Sequence, residues 1–146
     1  MPCDFEHDAL RDRLLAAGFD PGRPSLIVWI GVTVYLTAGA LEATLTDLAT
    51  LSAPDSRLVL DYVNPRGATS DRPQTPVLRW AVDAARHGEP WLTFFTAAQL
   101  DALLTSHSFQ CHEHLHAAEL LHRYAPTHVT RSPAVGRIAI ATAHRT

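Results

Sequence analysis

The run His112-Glu113-His114-Leu115-His116 satisfies H-E-x-x-H, and His122 stands where the extended pattern H-E-x-x-H-x-x-G-x-x-H places a third ligand. On a helix, His112 and His116 would share one face and hold a zinc ion, with Glu113 as base toward a zinc-bound water. That is the chemistry of a metallohydrolase. Two residue types speak against it: the turn glycine of the extended pattern is Glu119, and the only methionine is Met1, so no methionine turn follows. On a strand, alternation instead gathers His112, His114 and His116 on one face and sets Phe109, Cys111, Glu113 and Leu115 opposite. With nine histidines in 146 residues, a chance match inside a local cluster is unsurprising. A polar sheet edge is the plainer reading, and a zinc site at His112, His116 and His122 is kept as the alternative.

The rest of the composition narrows the function classes. The net charge is −3, and all 12 basic residues are arginines scattered along the chain, so nothing resembles a surface built to neutralise phosphates. Nucleic acid is therefore not expected as a partner. Two cysteines, Cys3 and Cys111, are too few for a disulfide framework and fit reduced thiols. The start MPCDFEHD is acidic, and no apolar run approaches the ~20 residues that span a bilayer. A cytoplasmic protein without a membrane segment is expected. The absence of lysine beside many Ala, Pro, Arg and Asp points to a GC-rich, bacterial coding sequence.

The elements that must position any site follow from periodicity. Residues 6–18 read as a short amphipathic helix with Leu10, Leu14 and Leu15 on one face and Gly18 as its stop. Leu26 to Ile30 is a continuous apolar run of strand length, as for a central parallel strand covered on both faces. Thr37 is placed to cap a helix to about residue 51 that buries Leu41, Leu45 and Leu48. Arg57 to Val63 reads as a second strand. The segment NPRGATSDRPQTP is rich in turn formers, and a helix is expected over 77–87. Thr96 opens a helix with Leu100, Leu103 and Leu104 inward. Phe109 to Leu115 is strand-like, 117–124 helical, and Val135 to Ala143 a final strand with Ile138 and Ile140 on one face. Strands alternating with helices predict an α/β domain with a mostly parallel sheet.

Five segments in order, PCDF (2–5), WIGVTVYLT (29–37), LVLDYV (58–63), GEPWLTFF (88–95) and the Arg123-Tyr124 pair, resemble the methyltransferases related to leucine carboxyl methyltransferases. The resemblance implies a Rossmann-like class I fold that uses S-adenosyl-L-methionine, its sheet seven-stranded with the last strand antiparallel. Residues 26–30 would then be the fourth strand and 58–63 the fifth, with six and seven following. Residues 1–146 would form one partial domain holding the later strands and flanking helices, without the first half and its glycine-rich cofactor turn. The glycines, at 18, 22, 31, 39, 67, 88 and 136, include no two that are two residues apart, so the sequence contains no G-x-G.

Carried over by resemblance, Asp4 and Phe5 lie beside the adenine, Ile30 and Gly31 pass the methionine portion of the cofactor, and Tyr35 faces the substrate. Many relatives have Glu at the place of Ile30, so one polar contact is lost. Methyl transfer from a sulfonium needs alignment, and a base only for a protonated nucleophile, so no catalytic base is assigned. The acceptor is expected to be a small molecule or a carboxylate. With the earlier strands absent, strand 26–30 becomes an apolar edge that seeks a second copy or a complementary chain. The chain alone is expected to be inactive or weakly active, and a non-catalytic interaction module on the same half-sheet is the alternative.

Overall fold

Two threonines start the helices that cover the sheet. The Thr37 hydroxyl accepts from the Ala40 backbone N–H and opens α2 (Ala38–Leu51), whose buried residues include Leu41, Leu45 and Leu48, a spacing that keeps one face inward. Thr96 does the same for α4 (Ala97–Ser106), where Gln99 reaches back to the Thr96 N–H and completes a capping box; Leu100 and Leu104 are buried beneath it. The computed structural model describes residues 2–65, 75–125 and 138–146. Most of the turn-rich segment after Asn64, and residues 135–137 of the expected last strand, lie outside them.

The other elements are α1 (Leu10–Ala16), β1 (Leu26–Trp29), a 3₁₀ turn (Thr33–Tyr35), β2 (Arg57–Val63), α3 (Thr75–Arg86), β3 (Phe109–His116), α5 (Ala117–Tyr124) and β4 (Ile138–Arg145). They form one four-stranded sheet in the order β1-β2-β4-β3. β1 and β2 are parallel, while β4 runs antiparallel to both β2 and β3. The α/β class, the helices flanking the sheet and the reversed last strand all agree with the sequence reading.

One face of the sheet carries the core. Along β4, Ala139, Ala141 and Ala143 are fully buried, paired on one side with Tyr62, Leu60 and Leu58 of β2. The helix leucines, Trp29 and Phe109 pack into the same cluster. Ile140 takes the opposite face by alternation, and the fully buried positions of β4 are held by alanine, its smallest side chain.

Three expectations need correction. The first helix is shorter than 6–18, because residues 4–8 form a turn of their own in which the His7 and Asp8 N–H groups donate to the Asp4 carbonyl; Leu15 is exposed. β1 is not covered on both faces: Leu26 is 66% and Val28 63% exposed while Trp29 is buried, and among the described residues β1 lies at the edge of the sheet. Strict alternation also fails in β3. Cys111 pairs with Ala143 and Glu113 with Thr142, so His112 is an extra residue in a β-bulge. Beyond it the faces exchange, and Cys111, His114 and His116 all oppose the buried alanines.

Leu45 has no exposure and Val28 is mostly open. Leu45→Ala is expected to cost about 2–5 kcal/mol, Thr37→Ala about 1 kcal/mol, and Val28→Thr under about 0.5 kcal/mol in urea denaturation. A Leu45→Ala loss no larger than that of Val28→Thr would contradict this core.

Candidate functional site

Parallel strands leave a sheet at the same end, and ligands of open α/β sheets bind in the crevice outside those carboxyl ends. Here that end is built by the chain leaving β1 and by Asp61 near the end of β2. Gly31 takes a left-handed backbone (φ +74°), and its N–H donates to Asp61 Oδ1 at 2.9 Å. Thr33, fully buried, donates from Oγ1 to the Asp61 carbonyl at 2.7 Å and accepts at its own carbonyl from Thr93 Oγ1 at 2.6 Å. The Leu92 N–H donates to the Val34 carbonyl at 2.6 Å. The loop is thus tied to both β2 and the 91–95 segment, while Ile30 and Tyr35 remain exposed.

The N-terminal turn docks at the same end. The Phe5 ring lies 6.1 Å from that of Trp29, the last residue of β1, and the Glu6 carboxylate accepts from the Thr37 N–H and hydroxyl at 2.8 and 2.9 Å. Asp4 is exposed; its carboxylate accepts from the Glu6 N–H and meets His7 Nδ1, each at 3.0 Å, and these two contacts hold it below the usual aspartate range. Phe5, Ile30, Gly31 and Tyr35 therefore gather around the carboxyl end of β1, with Asp4 beside them but hydrogen-bonded within its own turn. Beside the open edge of β1, Phe5, Leu14, Phe19, Val28 and Leu48 help line an apolar cleft of about 290 Å³.

Sequence reading missed the groups that hold this end together. Asp61 is half-buried, and burial pushes its carboxyl above the ordinary value while the Gly31 N–H draws it back. Its signal was an acid inside the apolar strand LVLDYV. Glu6 gave no signal of its own, since its partner Thr37 lies 31 residues away.

The H-E-x-x-H segment lies in β3, not on a helix, so His112 and His116 do not share a helical face, and among the described residues the structure does not gather them with His122. At ~3.3 Å per residue, His112 and His116 are about 13 Å apart along the strand. His112, at the bulge, stacks on His144 with centroids 4.2 Å apart; the His116 N–H donates to Glu119; His122 is exposed on α5. Glu113 accepts from Arg123 Nη2 at 3.0 Å rather than facing a ligand.

Another group converges instead. His114 Nε2 lies 2.8 Å from Asp101 Oδ1 of α4 and 3.4 Å from Cys111 Sγ, and its Nδ1 lies 2.9 Å from the hydroxyl of buried Tyr62. Burial and nearby Asp101 push the Cys111 thiol up to about 11, the opposite of an activated nucleophile.

Residues 1–49 match the family model described as leucine carboxyl methyltransferase. The chain is related to this family over part of its length. A protein of Parafrankia sp. whose name assigns it provisionally to the S-adenosyl-L-methionine-dependent methyltransferases is 48% identical over 50 residues, 34% of this chain and 16% of that protein. A Bacillus subtilis protein named in the same way is 29% identical over 115 residues, 79% of this chain and 38% of its own. The chain thus spans well under half the length of these relatives.

Solved structures agree on the fold. A DUF574 family protein from Streptomyces avermitilis superposes with a TM-score of 0.72 at 15% identity, over 100% of this chain and 54% of that one. A Thermobifida fusca protein described provisionally as a methyltransferase gives 0.67 at 16%, over 100% and 53%. The class I methyltransferase fold inferred by resemblance is the fold observed, as a four-stranded mixed open sheet.

The Asp61 environment sets a pH test. A carboxyl whose pKa is raised on folding binds more protons in the folded state, so its ionisation lowers stability as pH rises from the unfolded value, 3.8, through the folded one. Asp61→Asn keeps an acceptor for Gly31 and removes that penalty. The variant is expected to be the more stable at neutral pH, with the advantage vanishing below the unfolded value in urea titrations; an advantage that grows on acidification would contradict it.

Proposed function

We propose that this chain forms the carboxyl-end wall of an S-adenosyl-L-methionine-dependent methyltransferase site, with Asp4, Phe5, Ile30 and Gly31 on the cofactor side and Tyr35 toward the methyl acceptor. The observation that carries this reading is the docking of the N-terminal turn and the 30–36 loop at one end of β1, in a chain related to that family.

The residues fit one side of such a cofactor. Among the described residues beyond its two chain neighbours, no heavy atom lies within 4 Å of where a Gly31 Cβ would stand, so the backbone is open to close approach there. Ile30 and Tyr35 present exposed apolar surface, and the Asp4 carboxylate, held ionised, keeps lone pairs for an amino group. The sequence has no G-x-G to cradle the cofactor's polar end. When bound, the cofactor supplies an electrophilic methyl on sulfonium. The protein's task is alignment, and a carboxylate acceptor requires no base.

The second requirement is a neighbour for β1. Leu26 and Val28, with Ile30 just beyond them, are exposed along an edge strand whose outer hydrogen-bonding groups have no strand beside them among the described residues. The solved relatives extend over nearly twice this chain's length, enough to supply a further strand. In the proposed assembly a complementary segment of the same fold adds that strand and brings the polar part of the cofactor site. The same edge favours a second reading, a non-catalytic interaction module, which the cofactor separates from the first.

Calorimetric titration of the isolated chain with S-adenosyl-L-methionine is expected to show weak or no binding, rising to micromolar affinity once the complementary segment is added. Micromolar binding by the chain alone would contradict the division of the site, and none after pairing would favour the interaction module. Light scattering of the isolated chain is expected to give a mass above the 16.0 kDa monomer. A stable monomer would argue that the β1 edge needs no neighbour.

A further inference from the structure

The β3 bulge has placed three metal-ligating atom types together on the core side of the sheet: the Asp101 carboxylate, the Cys111 sulfur and His114 Nε2 lie within 4.8 Å of one another. We propose that Asp101, Cys111 and His114 form a zinc site with three protein ligands and one position open to water.

The convergence favours an ion over a relay. In a nucleophile-base-orienter chain, the acid engages one imidazole nitrogen and the nucleophile the other. Here Asp101 at 2.8 Å and Cys111 at 3.4 Å both address Nε2, and Nδ1 is taken by the Tyr62 hydroxyl at 2.9 Å. Zinc in place of the Nε2 and Sγ protons would let all three atoms turn a lone pair to one point. Zinc bonds of about 2.0 Å to nitrogen or oxygen and about 2.3 Å to sulfur hold tetrahedral ligands roughly 3.3–3.6 Å apart, so the group closes on an ion with sub-ångström to ångström-scale shifts.

The surroundings support this. Tyr62 is 1% exposed and fixed in β2, so its hydroxyl orients the imagined ligand ring in the way that outer partners orient metal-bound histidines, with Nδ1–H donating to the phenol oxygen. The carboxylate and a thiolate together balance a divalent charge. The His114 side chain is 19% exposed and that of Asp101 47%, which leaves an entry path and room for water as fourth ligand. A thiolate with an imidazole selects zinc over magnesium or calcium, which prefer all-oxygen sets.

The test uses the full chain and zinc alone. After incubation with Zn²⁺ and dialysis against metal-free buffer, elemental analysis is expected to find one zinc per chain. Cys111→Ser and His114→Gln each lower this at least tenfold at limiting zinc, while His112→Ala and His122→Ala leave it unchanged. Cobalt loading is expected to give a thiolate-to-metal charge-transfer band that Cys111→Ser abolishes. Should His114→Gln unfold by circular dichroism, Asp101→Asn, on the surface of α4, replaces it with the same expected loss. Failure to retain zinc, retention undiminished in Cys111→Ser and Asp101→Asn, or loss in His112→Ala instead, would overturn the proposal.

Discussion

The rest of the structure depends on β4 running backwards between β2 and β3 with alanine at 139, 141 and 143. Each of the three is fully buried, and together they make a flat strip across which Leu58, Leu60, Tyr62 and Phe109 close under α2 and α4. A larger residue there would have to displace close-packed neighbours, at a cost of typically 1–3 kcal/mol. Because β4 forms ladders on both edges, β2 and β3 are fixed relative to each other. That rigidity is what lets Tyr62 on one strand meet His114 on another.

From this body the two ends of the sheet diverge. On the β3 side the edge is dressed by a bulge, charged and imidazole side chains and the Glu113–Arg123 ion pair, devices that discourage strand addition. On the β1 side a strand of four residues carries Leu26 and Val28 into solvent. The 30–36 loop is nevertheless well tied, through Asp61, Thr33 and Thr93, to parts of the chain that do not depend on a further strand. In the proposed assembly that asymmetry would have a use: one end is finished, and the other is where a site would be shared.

Local signals were legible in the sequence wherever one interaction decides the outcome. Thr37 and Thr96 marked helix starts because each N-cap is satisfied within three residues, and RLVLDYV marked β2 because its length and apolar content admit little else. The bulge was not legible, since it is set by pairing with β4 rather than by residues 109–116, and missing it put Cys111 and His114 on opposite faces. H-E-x-x-H misled for the same reason: its spacing means something only at helical pitch. Ile138 and Ile140 drew attention from the alanines, whose smallness matters only once helices lie over them. Asp4, Phe5, Ile30, Gly31 and Tyr35 came from resemblance, and their placement needed Glu6 and Asp61, whose partners lie 31 and 30 residues away.

Native-state hydrogen exchange reads this division of the sheet most directly. Amides of β4, bonded on both sides, are predicted to exchange only through global unfolding, while amides of β1 exchange much faster through local opening and become protected when a complementary segment binds. Protection of β1 in the isolated monomer equal to that of β4 would contradict the account.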